Sequence, residues 1–351
     1  QVNAKRAYSI VIRQWGKLIN ITKRSASPFY KAMQVVFSWS MKFLFWSLVS
    51  LLFLVMGCSP SHDSLVIKAS KKENILTTFY PTTYFAESIS GDLISVECPV
   101  PGTEDPIHWQ PSRDSILKYQ SAGLIILNGA NFEKWVDSVN LPLSRVIESV
   151  KLPSEELIRY EAIAEHRHGP KGTHAHEGID GHTWLDPLHA KEASYNILQS
   201  MCVRWPKYRD EFTKNYTELV EGLDALHVRM NAIEMPPAFA SHPAYNYLAR
   251  RYGWNINNLD LFPGKILSEE QIKIIGSYAK QKPIRLLLWE SEPLVQNIEE
   301  LEKRLGIRSV VFNPCEMIYR GRLQEEFDYL SRMNQNIDRL VSVIGRDGTG
   351  Q

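Results

Sequence analysis

The chain has 351 residues, enough for one large or two medium domains. Hydrophobic residues make up 44% of it, so packed cores can form. A formal net charge of +1 argues against a nucleic-acid binder, and four cysteines (Cys58, Cys98, Cys202 and Cys315) without a CxxC pair argue against a thiolate zinc knuckle.

Residues 1–40 are basic and mixed and do not open on an initiating Met, which suggests an upstream extension outside the mature fold. Met41 opens a different pattern: Lys42, then the apolar run Phe43 to Met56, then Gly57 and Cys58. This is the charged, apolar and small-residue order of a secretory signal, and the run is too short for a comfortable membrane span. Residues 41–57 therefore read as a signal peptide and 58–72 as a linker. Gly57-Cys58 resembles the exit of a bacterial lipoprotein signal, where the cysteine is acylated. Lipid on Cys58 would anchor an extracytoplasmic domain to the membrane. One disulfide among Cys98, Cys202 and Cys315 stays open, with no pair favoured.

Along the mature chain, strands and helices alternate. Glu73–Phe79 reads as a strand, Tyr80–Ile89 as a helix stopped by Gly91, and Leu93–Val100 as a strand. Ser112–Ser121 reads as a capped helix, Leu124–Leu127 as a buried strand and Phe132–Val139 as helical. That alternation predicts a mostly parallel sheet flanked by helices, an α/β lobe over 73–205. Pro206 to Ile233 is a long amphipathic pattern interrupted only by Gly222, and at 1.5 Å per residue it would span about 40 Å. We expect 206–234 to be a long rigid linking helix.

A second α/β lobe follows over 235–346. Its strands are Ala238–Ser241, Ile284–Trp289 and Ser309–Phe312, and its helices are Tyr245–Tyr252, Ser268–Lys280, Leu294–Leu305 and Leu323–Ile344.

The stretch His166–Pro187 carries five of the ten histidines. Imidazole nitrogen suits Zn²⁺, with Mn²⁺ and Fe²⁺ as alternatives. Glycines among His166, His168, His174 and His176 suggest a flexible loop, whereas His182, ahead of Trp184 and Pro187, looks fixed at the edge of a folded element. In parallel sheets, ligands bind beyond the carboxyl ends of strands. His108, His182 and His242 stand near such places, each beside a stiffening residue: Trp109, Trp184 or Pro243. Three imidazoles from separate loops would supply most of a tetrahedral site.

PGTEDPIHWQPSRD, GHTWLDP and SHPAYNYLARRYG resemble the motifs of the zinc- and manganese-uptake solute-binding lipoproteins of bacterial ABC transporters, the cluster A-I family. The resemblance spans roughly Glu73 to Arg346. It implies two α/β lobes joined by a rigid helix, with metal held between them and delivered to an ABC permease. It carries the ligand role to His108, His182 and His242; a histidine at the third place favours zinc. The family's fourth ligand, an aspartate, falls here on Asn313, so Glu316 or a water is the alternative donor, with Cys315 a less favoured soft option. Asn313→Asp should tighten binding if that residue is a ligand. Glu290 reads as a supporting or structural residue. The resemblance also makes His166, His168, His174 and His176 a low-affinity collecting loop and the protein a monomer.

Deprotonated imidazoles are needed for binding, so affinity should fall as pH drops through about 6.5. The rival readings are an exported zinc hydrolase, which lacks HExxH support here, and a surface adhesin with an incidental metal site.

Overall fold

A computed structural model of the chain describes residues 73–102, 104–160, 178–317 and 328–345, together with the backbone at 166–167 and 173–174. The expectations for the extension, the signal, Cys58 and the linker lie outside the described residues, as do those for the side chains of the histidine-rich segment.

The described residues fall in one compact unit built on two four-stranded sheets. The first sheet contains β1 (Asn74–Thr77), β2 (Ser95–Glu97), β3 (Leu124–Leu127) and β4 (Val146–Glu148), in the order β2-β1-β3-β4. The second contains β7 (Ala238–Ala240), β8 (Ile256–Asn258), β9 (Leu286–Trp289) and β10 (Arg308–Val311), in the order β10-β9-β7-β8. All pairs in both sheets are parallel. Numbered within its own lobe, each sheet has the same order, 2-1-3-4, and each reverses direction between its first and third strands. That reversal is where an open parallel sheet leaves a crevice for a ligand. The strand runs LIIL and LLLW are buried at every position, as strands covered on both faces require.

Helices α1 (Tyr80–Ser90), α2 (Arg113–Ser121) and α3 (Pro187–Arg204) belong to the first lobe. Ser112 caps α2 by accepting the Ser115 N–H. Asp186 caps α3 by accepting the Leu188 N–H, ahead of Pro187 at its first position. The second lobe carries α5 (Asn246–Tyr252), α6 (Glu269–Gln281), α7 (Val295–Leu305) and α8 (Tyr329–Gly345). A reciprocal capping box between Ser268 and Gln271 opens α6.

The linking helix α4 runs from Arg209 to Asn231, after a 3-10 turn at Pro206–Tyr208. Its 23 residues span about 35 Å. It packs against α1, α3 and α8 rather than standing alone. Gly222 makes the α8 contact close: a Cβ there would run into Leu330 Cδ1. One continuous core runs through Ile75 and Ile126 of the first lobe, Leu223 and Leu226 of α4, and Leu288, Val310 and Leu340 of the second. Two satellite cores lie elsewhere in the lobes, one around Trp109, Tyr119 and Trp135, the other around Phe239, Ile272 and Leu287.

Several expectations need correction. The terminal helix is described from Tyr329 to Gly345, with Asp328 accepting the Ser331 N–H at its start, and the expected start at Leu323 lies outside the described residues. The segment 132–139 is a 3-10 helix at Lys134–Ser138. Cys98, Cys202 and Cys315 are all free: Cys202 lies on α3, Cys315 follows β10 and Cys98 follows β2. Within the histidine-rich segment the backbone is not all loop, since His166–Arg167 pairs antiparallel with Thr173–His174 as strands β5 and β6.

Candidate metal centre

Three donor side chains meet between the lobes. The ligand atoms of His182, His242 and Glu316 all lie within 4.8 Å of one another. His242 follows β7 by two residues, beside the reversal point of the second sheet. Glu316 comes from the loop after β10. His182 precedes α3, and its position is built by the first lobe. Asn128, just beyond β3, donates its Nδ2 to the Gly181 carbonyl at 3.0 Å. A Cβ on Gly181 would meet Phe132 Cδ2 at 2.8 Å, so only glycine lets that ring pack so closely there.

The His182 ring is 1% exposed and both of its nitrogens are engaged. Nδ1 lies 2.7 Å from Asp180 Oδ1, and Nε2 lies 2.8 Å from Glu316 Oε1. Asp180 is itself held from several sides. Its carboxylate accepts the His182 main-chain N–H at 2.9 Å, the Tyr160 hydroxyl at 3.0 Å and Asn246 Nδ2 at 2.8 Å. Tyr247 OH donates to its carbonyl at 3.0 Å. The Asp180 contact fixes the tautomer and orientation of the ring and aims Nε2 at the other donors.

Burial alone would lower the His182 pKa. Asp180 and Glu316, bonded at either nitrogen, outweigh it and push the imidazole up to about 10. At this separation a proton on Nε2 would be shared between His182 and Glu316. Two donors on one tetrahedral zinc sit about 3.3 Å apart, so replacing that proton with an ion needs only a small separation of the pair. The His242 ring lies edge-on to His182, centroids 5.4 Å apart, and its Nδ1 is 3.8 Å from Glu290 Oε2. Burial and then Glu316 push the Glu290 carboxyl up to about 8.

His108 is not drawn into the group. It is exposed, and its main-chain N–H bonds the Asp105 carbonyl. Its neighbour Trp109 is buried against Tyr119 and Trp135. The loop nevertheless borders the centre, since the Asp105 charge acts on Glu290. Asn313 turns inward on its own loop: Oδ1 accepts the Cys315 N–H at 2.8 Å, and Nδ2 donates to the Glu290 carbonyl at 3.3 Å. Residues 158–160 and 178–180 pair antiparallel at the base of the histidine-rich segment, through Asp180 N–H to Ile158 O and Tyr160 N–H to Gly178 O.

Sequence reasoning missed Asp180, Tyr160, Asn246 and Tyr247. Only Asp180 carried a local signal, because an aspartate two residues before a histidine can fold back onto that residue's N–H. Tyr160 reaches His182 from 22 positions away.

Comparison with known proteins places these motifs in context. The family model for zinc-uptake complex component A, periplasmic (ZnuA), matches residues 75–343. The zinc-binding lipoprotein AdcA of Streptococcus pneumoniae is 28% identical over 306 residues, covering 85% of this chain. The chain spans 60% of that relative's length. The high-affinity zinc uptake system protein ZnuA of Bacillus subtilis is 26% identical over 301 residues, with 83% of this chain and 93% of that protein covered. The crystal structure of the metal-dependent lipoprotein YcdH of Bacillus subtilis shares the fold with a TM-score of 0.66 at 24% identity, over 77% of this chain and 98% of that one. Zn(II)-bound AdcA of Streptococcus pneumoniae superposes with a TM-score of 0.64 at 25% identity, over 77% of this chain and 57% of that one.

Proposed function

Because this chain belongs to the periplasmic zinc-uptake component A family, we propose that it captures Zn²⁺ outside the cytoplasm and delivers it to an ABC permease. The observation that carries the proposal is the convergence of His182, His242 and Glu316 from two lobes onto one point. Two imidazoles and a carboxylate form a borderline-soft donor set that suits zinc. His108, exposed on a loop beside the crevice, supplies the remaining imidazole when the ion arrives. Asn313 contributes no donor, and Glu316 stands where the fourth ligand is needed. Mn²⁺ and Fe²⁺ are the weaker alternatives for this donor set.

Capture works through proton exchange. Zinc displaces the proton shared by His182 and Glu316, while Asp180 holds the ring in place. The continuous core across the lobes leaves little freedom for a wide hinge, so delivery relies on loop and side-chain movement when the permease docks. An acyl chain on Cys58 keeps the protein, a monomer, at the membrane it serves. The histidines His166, His168, His174 and His176 form a low-affinity collector. The protein is a carrier with no catalytic role.

Metal analysis of untagged protein, followed by competition titration of Zn²⁺ against Mn²⁺, tests the proposal. His182→Ala, His242→Ala and Glu316→Gln should each weaken zinc binding at least tenfold. A protein that carries no zinc, or variants that bind as the parent does, would overturn it. Hydrolysis by zinc-loaded protein would favour the enzyme reading, and host-ligand binding that survives loss of these donors the adhesin reading.

A further inference from the structure

The loop that presents Glu316 is gripped through several of its main-chain groups. Tyr245 OH donates to the Phe312 carbonyl at 2.6 Å, and Trp184 Nε1 to the Pro314 carbonyl at 2.7 Å. Between them, Asn336 of α8 takes both main-chain groups of Asn313: its Oδ1 accepts the N–H at 2.9 Å and its Nδ2 donates to the carbonyl at 2.7 Å. Asn336 is fully buried. Asn313 in turn closes a tight turn onto the Cys315 N–H, which leaves Cys315 in the left-handed region at φ 60°. A residue with a Cβ stays there only when its surroundings over-determine it. The turn ends by aiming Glu316 at His182.

We propose that Asn336 is a positioning residue for Glu316, and that its grip sets how strongly the site prefers Zn²⁺ over Mn²⁺. The inference rests on reading His182, His242 and Glu316 as metal donors. A carboxylate held in one place offers one oxygen and completes a four-coordinate nitrogen and oxygen shell, which zinc favours. A carboxylate free to turn can offer two oxygens, which suits the larger, oxygen-rich shell of Mn²⁺. Asn336 gives no atom to the ion; it acts through Asn313 and the Cys315 turn. This also explains why an amide stands at 313: its Nδ2 donates to the Glu290 carbonyl, a bond a carboxylate could not make.

The test compares Asn336→Ala and Asn336→Asp with Asn297→Ala, all in the full chain stripped of metal. Asn297 is a matched control: it is 1% exposed and also makes two main-chain bonds, to the Leu267 N–H and the Lys265 carbonyl. The measurements are Zn²⁺ and Mn²⁺ dissociation constants by chelator competition, and the visible spectrum of the Co²⁺ form. Asn336→Ala should raise the Zn²⁺ Kd about tenfold or more while moving the Mn²⁺ Kd less than about threefold. Its Co²⁺ bands should lose intensity as the shell departs from a tetrahedron. Asn336→Asp, which keeps only the acceptor, should fall between. Asn297→Ala should leave the zinc-to-manganese ratio unchanged.

Equal shifts for both metals, or the same behaviour in the Asn336 and Asn297 variants, would overturn the proposal. Should Asn336→Ala fail to fold, Asn336→Asp decides, and a parental ratio in it counts against the idea. Glu316→Gln separates the two layers. If it leaves zinc affinity intact, the donor assignment fails; if it weakens zinc while Asn336→Ala does not, only the role of Asn336 fails.

Discussion

Replacing Asp180 with asparagine probes how the buried carboxylate shapes metal capture. The Asp180 carboxylate accepts four hydrogen bonds, two of them from His182. Asparagine keeps the shape but removes the charge. A hydrogen bond to a charged group is worth about 1–1.5 kcal/mol more than a neutral one, or close to tenfold in affinity. With its oxygen turned to His182, the new amide would set an NH₂ against Asn246 Nδ2, and that donor conflict loosens the ring further. The intrinsic zinc Kd should therefore rise about 10- to 100-fold.

Proton competition works in the opposite direction. In the parent, zinc displaces a proton from an imidazole pushed up to about 10, which costs roughly three decades of apparent affinity at pH 7. Without the Asp180 charge, burial pulls the imidazole down and much of that competition disappears. The deficit of the variant should thus be largest near pH 9.5 and shrink or invert toward pH 7. Chelator-buffered zinc titrations from pH 6.5 to 9.5 read this directly. Parallel pH profiles for parent and variant would refute the assignment of Asp180 as the group that keeps His182 charged. The same geometry moves the window of pH sensitivity well above the 6.5 expected for an unperturbed histidine.

Further outcomes follow from the same site. The metal-free fold should lose stability as pH rises. His182 goes from an ordinary 6.5 to about 10, and Glu290 from 4.5 to about 8, so each stabilises fully below its ordinary value and progressively less as pH climbs through the raised one. Thermal melts of stripped protein at pH 6.5 and 9 check this, and a flat profile would contradict it. Gly181→Ala should cost about 1–3 kcal/mol by urea unfolding, because the added methyl meets Phe132, and it should also weaken zinc binding by pushing that ring onto His182. His108→Ala should leave stability within about 0.5 kcal/mol, since the side chain is exposed, yet weaken zinc at least tenfold. Unchanged zinc affinity in that variant would remove His108 from the donor set.

Much of this architecture was legible because its signals are local. The runs LIIL and LLLW announced buried strands, and Ser112 and Ser268 marked helix starts where their side chains do cap. The helix Pro187–Arg204 is not among the expected elements, although Asp186-Pro187 is a strong start signal. Strands VIE and INN are three residues long and only half-buried or less, too short to show a period. At the centre, the strand-end and motif arguments named His182 and His242, which the structure brings together with Glu316. They could not separate Asn313 from Glu316, because the difference lies in which way a five-residue turn points. That turn is bonded by Asn336, 23 positions downstream, and by Trp184, 130 positions upstream.

The interior that threads from Ile75 through Leu223 to Leu340 has a consequence for how this molecule can be divided. A fragment cut near Trp205 would expose the inner face of α3 to water, and the remainder would expose the opposing face of α4. Neither piece would own a complete hydrophobic centre. Though the two sheets repeat one topology, they cannot be inherited, expressed or exchanged as separate modules, and the chain should melt as one cooperative body.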